Sequence, residues 1–306
     1  MLTHLTRKLV ALPVILLAVS FLIFFAVRML PGDPARVMAG PQATQQAVND
    51  MRHRLGLDQP FLTQYGVFLR EAVRGDLGVS LHSKQPVTTD ISQRLPYTVA
   101  LALASYLFAS VLGLGAGILA AIYRGTWFDH LAMVIAILGA SIANFWLALM
   151  AMTLFSVQLG WLPLLGADSW RSYILPSVTL GLLPAALIAR MTRASMLEII
   201  GQDYIRTARA KGLRSAAVYL KHCLRNALIP IVTIVGLNFG GLLGGAVITE
   251  SVFNWPGLGR LLVDSVRFRD YAVIQGVTLL TVLIVVSVNF VVDCLLVVID
   301  PRIRFD

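Results

Sequence analysis

The chain has 306 residues, 57% of them hydrophobic and 13% charged, with a mean hydropathy of +0.77 and a formal net charge of +9. Soluble domains run nearer half apolar and a quarter charged, so this composition excludes an ordinary soluble protein and indicates an integral membrane protein. The positive charge does not call for nucleic acid, because basic residues of membrane proteins collect on the cytoplasmic side.

A spanning helix needs roughly 20 mostly apolar residues. Six stretches qualify in chain order: about Leu9–Leu30, Tyr97–Tyr123, Leu131–Leu159, Ile174–Ser195, Ala227–Val252 and Tyr271–Ile299. Their interiors are rich in Leu, Ala, Ile and Val with no apolar–polar alternation, which argues against a membrane β-barrel. An all-α, six-helix membrane protein is expected. The opening stretch is too long for a signal-peptide core and no small-x-small cleavage pattern precedes Leu30-Pro31-Gly32-Asp33-Pro34, so it reads as a retained first span.

Residues 31–96 are too many for a simple connector and carry helix signals. Gln45 to Leu55 is rich in helix formers, with Gly56 placed to end the helix and Pro60 beyond it. Phe61 to Val73 repeats apolar residues at 61, 62, 65, 68, 69 and 72, an amphipathic helical period. Gly75-Asp76-Leu77-Gly78 reads as a turn. A small folded cap on the outer side is expected, dividing the chain into 1–30, 31–96 and a core of 97–306.

Within the spans, Gly113, Gly115 and Gly117 mark the second, while Gly236, Gly240 and Gly244, with Gly241 and Gly245 beside them, mark the fifth. Small residues at such spacing let helices approach closely in lipid. Plain helix packing is one reading; a face lining a path beside a partner subunit is the sharper one, and Asn238 near mid-depth favours it. In the last span Asn289 and Asp293 share a helical face, and an intramembrane acid is a functional candidate by default. A structural ion pair or hydrogen bond is the expected role of Asp293. Glu250 is expected at the interface. Cys223 and Cys294 have no partner at metal-site spacing, so neither a disulfide nor a metal is expected.

Between the fourth and fifth spans lie Arg190, Arg193, Arg206, Arg209, Lys211, Arg214, Lys221 and Arg225, against only Glu198 and Asp203. With Arg7 and Lys8 at one end and Arg302 and Arg304 at the other, this puts both termini and the 196–226 segment in the cytoplasm. That segment holds a short helix. Asp203 is the expected N-cap; Tyr204, Thr207, Ala208 and Lys211 share a face; Lys211 suits the negative helix end and Gly212 the left-handed stop. Ser215 is placed to cap a second short helix toward Pro230. A solvated loop would explain the charge but not the capped helix, which reads as a docking element for a soluble partner.

Arg206-Thr207-Ala208-Arg209-Ala210-Lys211-Gly212, followed by His222-Cys223-Leu224-Arg225-Asn226-Ala227-Leu228-Ile229-Pro230, resembles the coupling-helix signature of ABC importer permeases, in the branch serving dipeptides, oligopeptides, nickel and glutathione. The likeness continues through Leu30-Pro31-Gly32-Asp33-Pro34, Leu55-Gly56-Leu57-Asp58-Gln59-Pro60, Gly75-Asp76-Leu77-Gly78-Val79-Ser80, Phe253-Asn254-Trp255-Pro256-Gly257-Leu258-Gly259 and Asp300-Pro301-Arg302. It implies a type I importer permease of the bacterial inner membrane. The implied partners are a second permease subunit, two ATPase subunits that hold ATP and magnesium, and a periplasmic or lipid-anchored binding protein. Asp203, Tyr204, Arg206, Thr207, Ala208, Arg209, Ala210, Lys211 and Gly212 would couple to the ATPase, and Phe253, Asn254, Trp255, Pro256 and Gly257 would face the binding protein. Two departures stand out. Arg206 and Thr207 replace the first two residues of the general Glu-Ala-Ala pattern, so no glutamate contact carries over. Ala143 stands where a proline often follows Ser141-Ile142, which removes the residue expected to kink the third span.

The chain carries no Gly-x-x-x-x-Gly-Lys-Ser/Thr phosphate loop, consistent with a non-catalytic subunit. An ion-coupled carrier would show internal repeats and several deep charges. A membrane enzyme would gather its His residues, yet His4, His53, His82, His130 and His222 lie outside the spans or at their edges. Short peptides or glutathione are the expected cargo, with nickel or another metal chelate as the alternative.

Overall fold

In a computed structural model the six apolar stretches are helical over most of their described residues, and shorter helices lie between them. The structure describes residues 2–29, 34–40, 42–54 and 56–299; the surroundings of Asn238, Gly240, Gly245 and the side chain of Asp293 lie outside the described residues. In chain order the helices are α1 (Leu2–Met29), α2 (Pro34–Ala39), α3 (Gln45–Arg54), α4 (Phe61–Val73), α5 (Val87–Ile122), α6 (Trp127–Ser141) and α7 (Asn144–Ala151). Then follow α8 (Ile174–Ile200), α9 (Asp203–Ala210), α10 (Ser215–Ala217), α11 (Leu224–Val252), α12 (Leu258–Phe268) and α13 (Tyr271–Ile299). Wider π-turns extend α7 over Met152–Gln158 and join α10 to α11 over Val218–Cys223. Packing sorts the chain into two compact units, Met1–Leu5 with Val99–Trp255 and Ser287–Asp306, and Thr6–Thr98 with Pro256–Val286.

In the second unit aromatic packing holds α4 of the 31–96 segment to α1. Phe24 of α1 is buried against Phe61, Tyr65 and Phe68 of α4, with ring centroids 5.3–5.5 Å apart. The Tyr65 hydroxyl donates to the Leu17 carbonyl at 3.1 Å. The apolar period of Phe61–Val73 therefore becomes α4 with the bounds the sequence suggests, Phe61, Tyr65 and Phe68 turned onto α1. Gly75-Asp76-Leu77-Gly78 forms the expected turn, and the buried Ser80 that follows donates its hydroxyl to Asp270 at 2.6 Å. The Asp270 carboxylate also accepts from the His82 and Val273 backbone N–H groups, so one buried acid clamps the turn to the start of α13.

In the first unit α8 is the central helix, packed by α6, α7 and α11. Its crossing with α5 depends on missing side chains. A Cβ built on Gly113 or Gly117 would sit 2.7 Å and 2.6 Å from the carbonyl oxygens of Ala185 and Ala189, inside contact distance, whereas one on Gly115 meets nothing. Two glycines four residues apart thus let the backbones touch, the packing mode available in lipid.

The third apolar stretch departs from expectation. It is two helical arms bent by 105° at Ser141–Asn144, despite Ala143 in place of proline. Ile142 and Ala143 both adopt extended backbone (ψ 131° and 129°), which turns the chain without losing a helix-forming residue to proline. The direction is set by packing: Gly139 of the first arm rests on Leu182 of α8, while Ala148 and Met152 of the second pack on Leu175 and Phe253. The first arm alone rises about 22 Å, short of the roughly 30 Å hydrocarbon core.

Candidate coupling site

The short polar helix expected between the fourth and fifth spans forms as α9, and its ends follow from local chemistry. Its N-cap is Gln202, with Asp203 the first helical residue, so the expected Asp203 cap is corrected by one position. As first helical residue Asp203 still places an acid at the positive end of the helix dipole. It also lies 3.5 Å from Arg206, an exposed pair of little energetic weight. At the other end the Leu213 N–H reaches the Ala208 carbonyl (3.4 Å), the Gly212 N–H reaches that of Arg209 (2.9 Å), and Gly212 takes φ +75°. This is a Schellman stop, and only a residue without a Cβ adopts that φ without cost.

What fixes α9 to the protein is Ile205, which the sequence reading did not single out. Its side chain is 0% exposed and packs in a core with Ala121 of α5, Met196 of α8, and Val218, Cys223, Ala227 and Ile231 of the segment leading into the fifth span. Ala208, one turn on, packs against the same core. The face expected to dock a partner, Tyr204, Thr207, Ala208 and Lys211, is therefore divided. Ala208 turns inward beside Ile205, while Tyr204, Thr207 and Lys211 stay exposed with Asp203, Arg206, Arg209, Ala210 and Gly212. The available signal was that Ile205 is the single large aliphatic side chain within 203–211.

The second half of the signature closes over the first. Asn226 donates its side-chain amide to the Tyr204 hydroxyl at 2.9 Å and to the His222 carbonyl at 3.1 Å. The Arg209 guanidinium lies 5.7 Å from the Tyr219 ring centre. Burial pushes the Cys223 thiol up from its ordinary pKa, against a smaller opposing influence from Arg209. Ser215 is not a cap: Arg214 holds that position, and the expected second short helix instead runs through the π-turn directly into α11. Any displacement of α9 thus meets the fifth span as one continuous helical rod.

The described glycines of that span differ in their surroundings. Gly236 lies against Val292 of α13, where an added Cβ would overlap the valine, so it serves packing within the chain. Gly241 and Gly244 are exposed with open space beside them. The turn at 253–257 differs more from expectation. Phe253 and Trp255 are 2% and 0% exposed, and Gly257 is buried, so these three do not present a surface to a partner. Phe253 packs with Ala148, Met152 and Leu175; Trp255 packs with Leu101, Leu180, Leu242 and Ala246 and meets the Tyr173 ring edge-on at 4.5 Å. Asn254 is exposed at φ +53° and Pro256 half-buried. Glu250, expected at the interface, is fully buried instead, its carbonyl accepting from the Trp255 N–H at 2.8 Å.

A unit of long apolar helices with a short polar helix clamped between the fourth and fifth apolar segments fits a membrane transport subunit. Residues 113–305 match the family described as binding-protein-dependent transport system inner membrane component, and residues 1–102 match its N-terminal component. The chain belongs to that family, the inner-membrane permeases of ABC importers. It is a transport component, and ATP hydrolysis falls to separate ATPase subunits.

Among curated proteins it is 51% identical over 305 residues, covering 100% of both chains, to the glutathione transport system permease protein GsiC of Escherichia coli K12. The same figures hold for GsiC of Shigella dysenteriae serotype 1. Among solved structures the fold resembles an inward-facing form of the MetNI methionine ABC transporter (TM-score 0.59, 23% identity, 69% of this chain and 96% of that one). It also resembles an amino acid ABC transporter crystallised with histidines (TM-score 0.53, 17% identity, 71% and 95%).

Proposed function

We propose that this chain is one of two permease subunits forming the path by which a short peptide, glutathione first among candidates, enters through the bacterial inner membrane. Two ATPase subunits holding ATP and magnesium grip α9, and a periplasmic or lipid-anchored binding protein delivers the cargo. The observation that carries the reading is α9 itself, a helix anchored inward by Ile205 and exposing Tyr204, Arg206, Thr207, Arg209 and Lys211 outward. The choice of cargo is supported by full-length identity of 51% to a permease named for glutathione transport.

In this reading both termini and residues 196–226 lie in the cytoplasm, as the excess of basic residues there favours. The exposed glycines Gly241 and Gly244 belong to a face that approaches the second permease. Asn254 and Pro256 meet the binding protein, while Phe253, Trp255 and Gly257 support them from beneath. Transport follows rigid-body rocking of packed helices when the ATPase pair closes.

The test is reconstitution of the permeases, ATPases and binding protein in proteoliposomes, with uptake of labelled glutathione measured against ATP. ATP-dependent uptake that requires the binding protein is expected. Uptake driven by an ion gradient without ATP would overturn the reading, and calorimetry of the binding protein against glutathione, di- to pentapeptides and nickel chelates decides the cargo.

A further inference from the structure

Asp129 lies in the first turn of α6 with 1% of its side chain exposed, and three donors converge on its carboxylate. Arg193 of α8 supplies two in a fork, Nε to Oδ1 at 2.5 Å and Nη2 to Oδ2 at 2.8 Å. The Gly125 N–H, in the turn between α5 and α6, supplies the third at 3.0 Å. Neighbouring charges are not part of this set: Arg124 and His130 beside it, and Arg190 on α8, are all exposed.

An ion pair with a buried acid and a partly buried arginine is a poor source of stability, since desolvation offsets much of the attraction and apolar replacement is often neutral or better. What a two-bond fork supplies is a fixed distance and orientation between the elements that carry it. Here the elements are well chosen. Arg193 precedes Met196 by three residues, about 4.5 Å along α8, and Met196 packs in the same core as Ile205 of α9. Asp129 begins the arm that ends at the 105° break in the third span. From these contacts we infer that Asp129 and Arg193 are a positioning pair, carrying the displacement of α9 through α8 into α6 and so into the broken span. This rests on the reading of α9 as the docking element.

The experiment uses the complete reconstituted transporter with glutathione as cargo. Asp129→Asn keeps the shape and removes the charge. The ATPase subunits stay bound and basal hydrolysis stays within about twofold, while stimulation by loaded binding protein and glutathione imported per ATP fall about tenfold. Replacing both residues with leucine separates positioning from stability: melting stays near that of the unmodified protein while import per ATP stays low. Import per ATP at the unmodified level in the double leucine variant overturns the inference. Should either variant fail to assemble, Arg193→Lys, which keeps the charge and loses the fork, decides: lowered import per ATP supports the pair and an unchanged ratio refutes it. Failure of the docking reading has a different signature, namely ATPase subunits that remain bound and coupled when α9 is broken by Gly212→Pro.

Discussion

Truncating Ile205 to alanine tests the anchoring of α9 most directly. The substitution removes three carbons from a side chain that is fully buried among Met196, Val218, Cys223 and Ala227. At about 0.8 kcal/mol per buried methylene this is about 2.4 kcal/mol of transfer energy. The vacated space raises the cost toward 3 kcal/mol, within the range seen for buried aliphatic-to-alanine changes. Because α9 is short and Ile205 is its one fully buried side chain, that loss falls on its docked state and lowers the docked-to-undocked ratio by roughly two orders of magnitude. Hydrogen exchange on the purified transporter is the assay. Amides of residues 207–213 lose protection by about that factor, while those of α8 do not change, and ATPase stimulation by the binding protein falls in parallel. Ile205→Val, at about 1 kcal/mol, gives a small fraction of the effect. Unchanged protection in Ile205→Ala would show that α9 is held by its polar contacts, Asn226 to Tyr204 above all, and the anchoring argument would fail.

Gly212→Ala strains the left-handed stop by about 1 kcal/mol and weakens coupling modestly, whereas Gly212→Pro also removes the N–H donated to Arg209 and abolishes ATPase binding in a pull-down. Gly117→Ala drives a Cβ into the Ala189 carbonyl and costs about 1–3 kcal/mol, seen as a lower melting temperature in detergent, while Gly115→Ala, facing open space, leaves melting unchanged. Trp255→Ala removes a fully buried indole and destabilises by about 3–5 kcal/mol, with loss of folded protein. Asn254→Gly keeps the left-handed backbone, lowers melting far less than Trp255→Ala and weakens binding-protein affinity; equal melting losses in the two variants would contradict the division of that turn into support and surface.

Much of the fold was legible because lipid leaves few choices. Backbone polar groups must bond within their own segment, so long apolar runs become helices wherever they fall. Amphipathic period fixed α4, and the Gly212 stop needed only local geometry. The signature motifs likewise revealed the family, since each sits at a turn or helix end whose conformation depends on a few neighbouring residues.

Tertiary packing decided the rest. A burial pattern can be read from sequence only when one face of an element is wet, and in this chain apolar residues face lipid, core and partner alike. That is why Phe253 and Trp255 could be taken for a surface and Ile205 overlooked. It is also why the 105° break came without a proline, from contacts of Gly139, Ala148 and Met152 with distant helices. Which arginine would meet Asp129 was equally open in the sequence, because residues 64 apart become neighbours only when α6 and α8 pack.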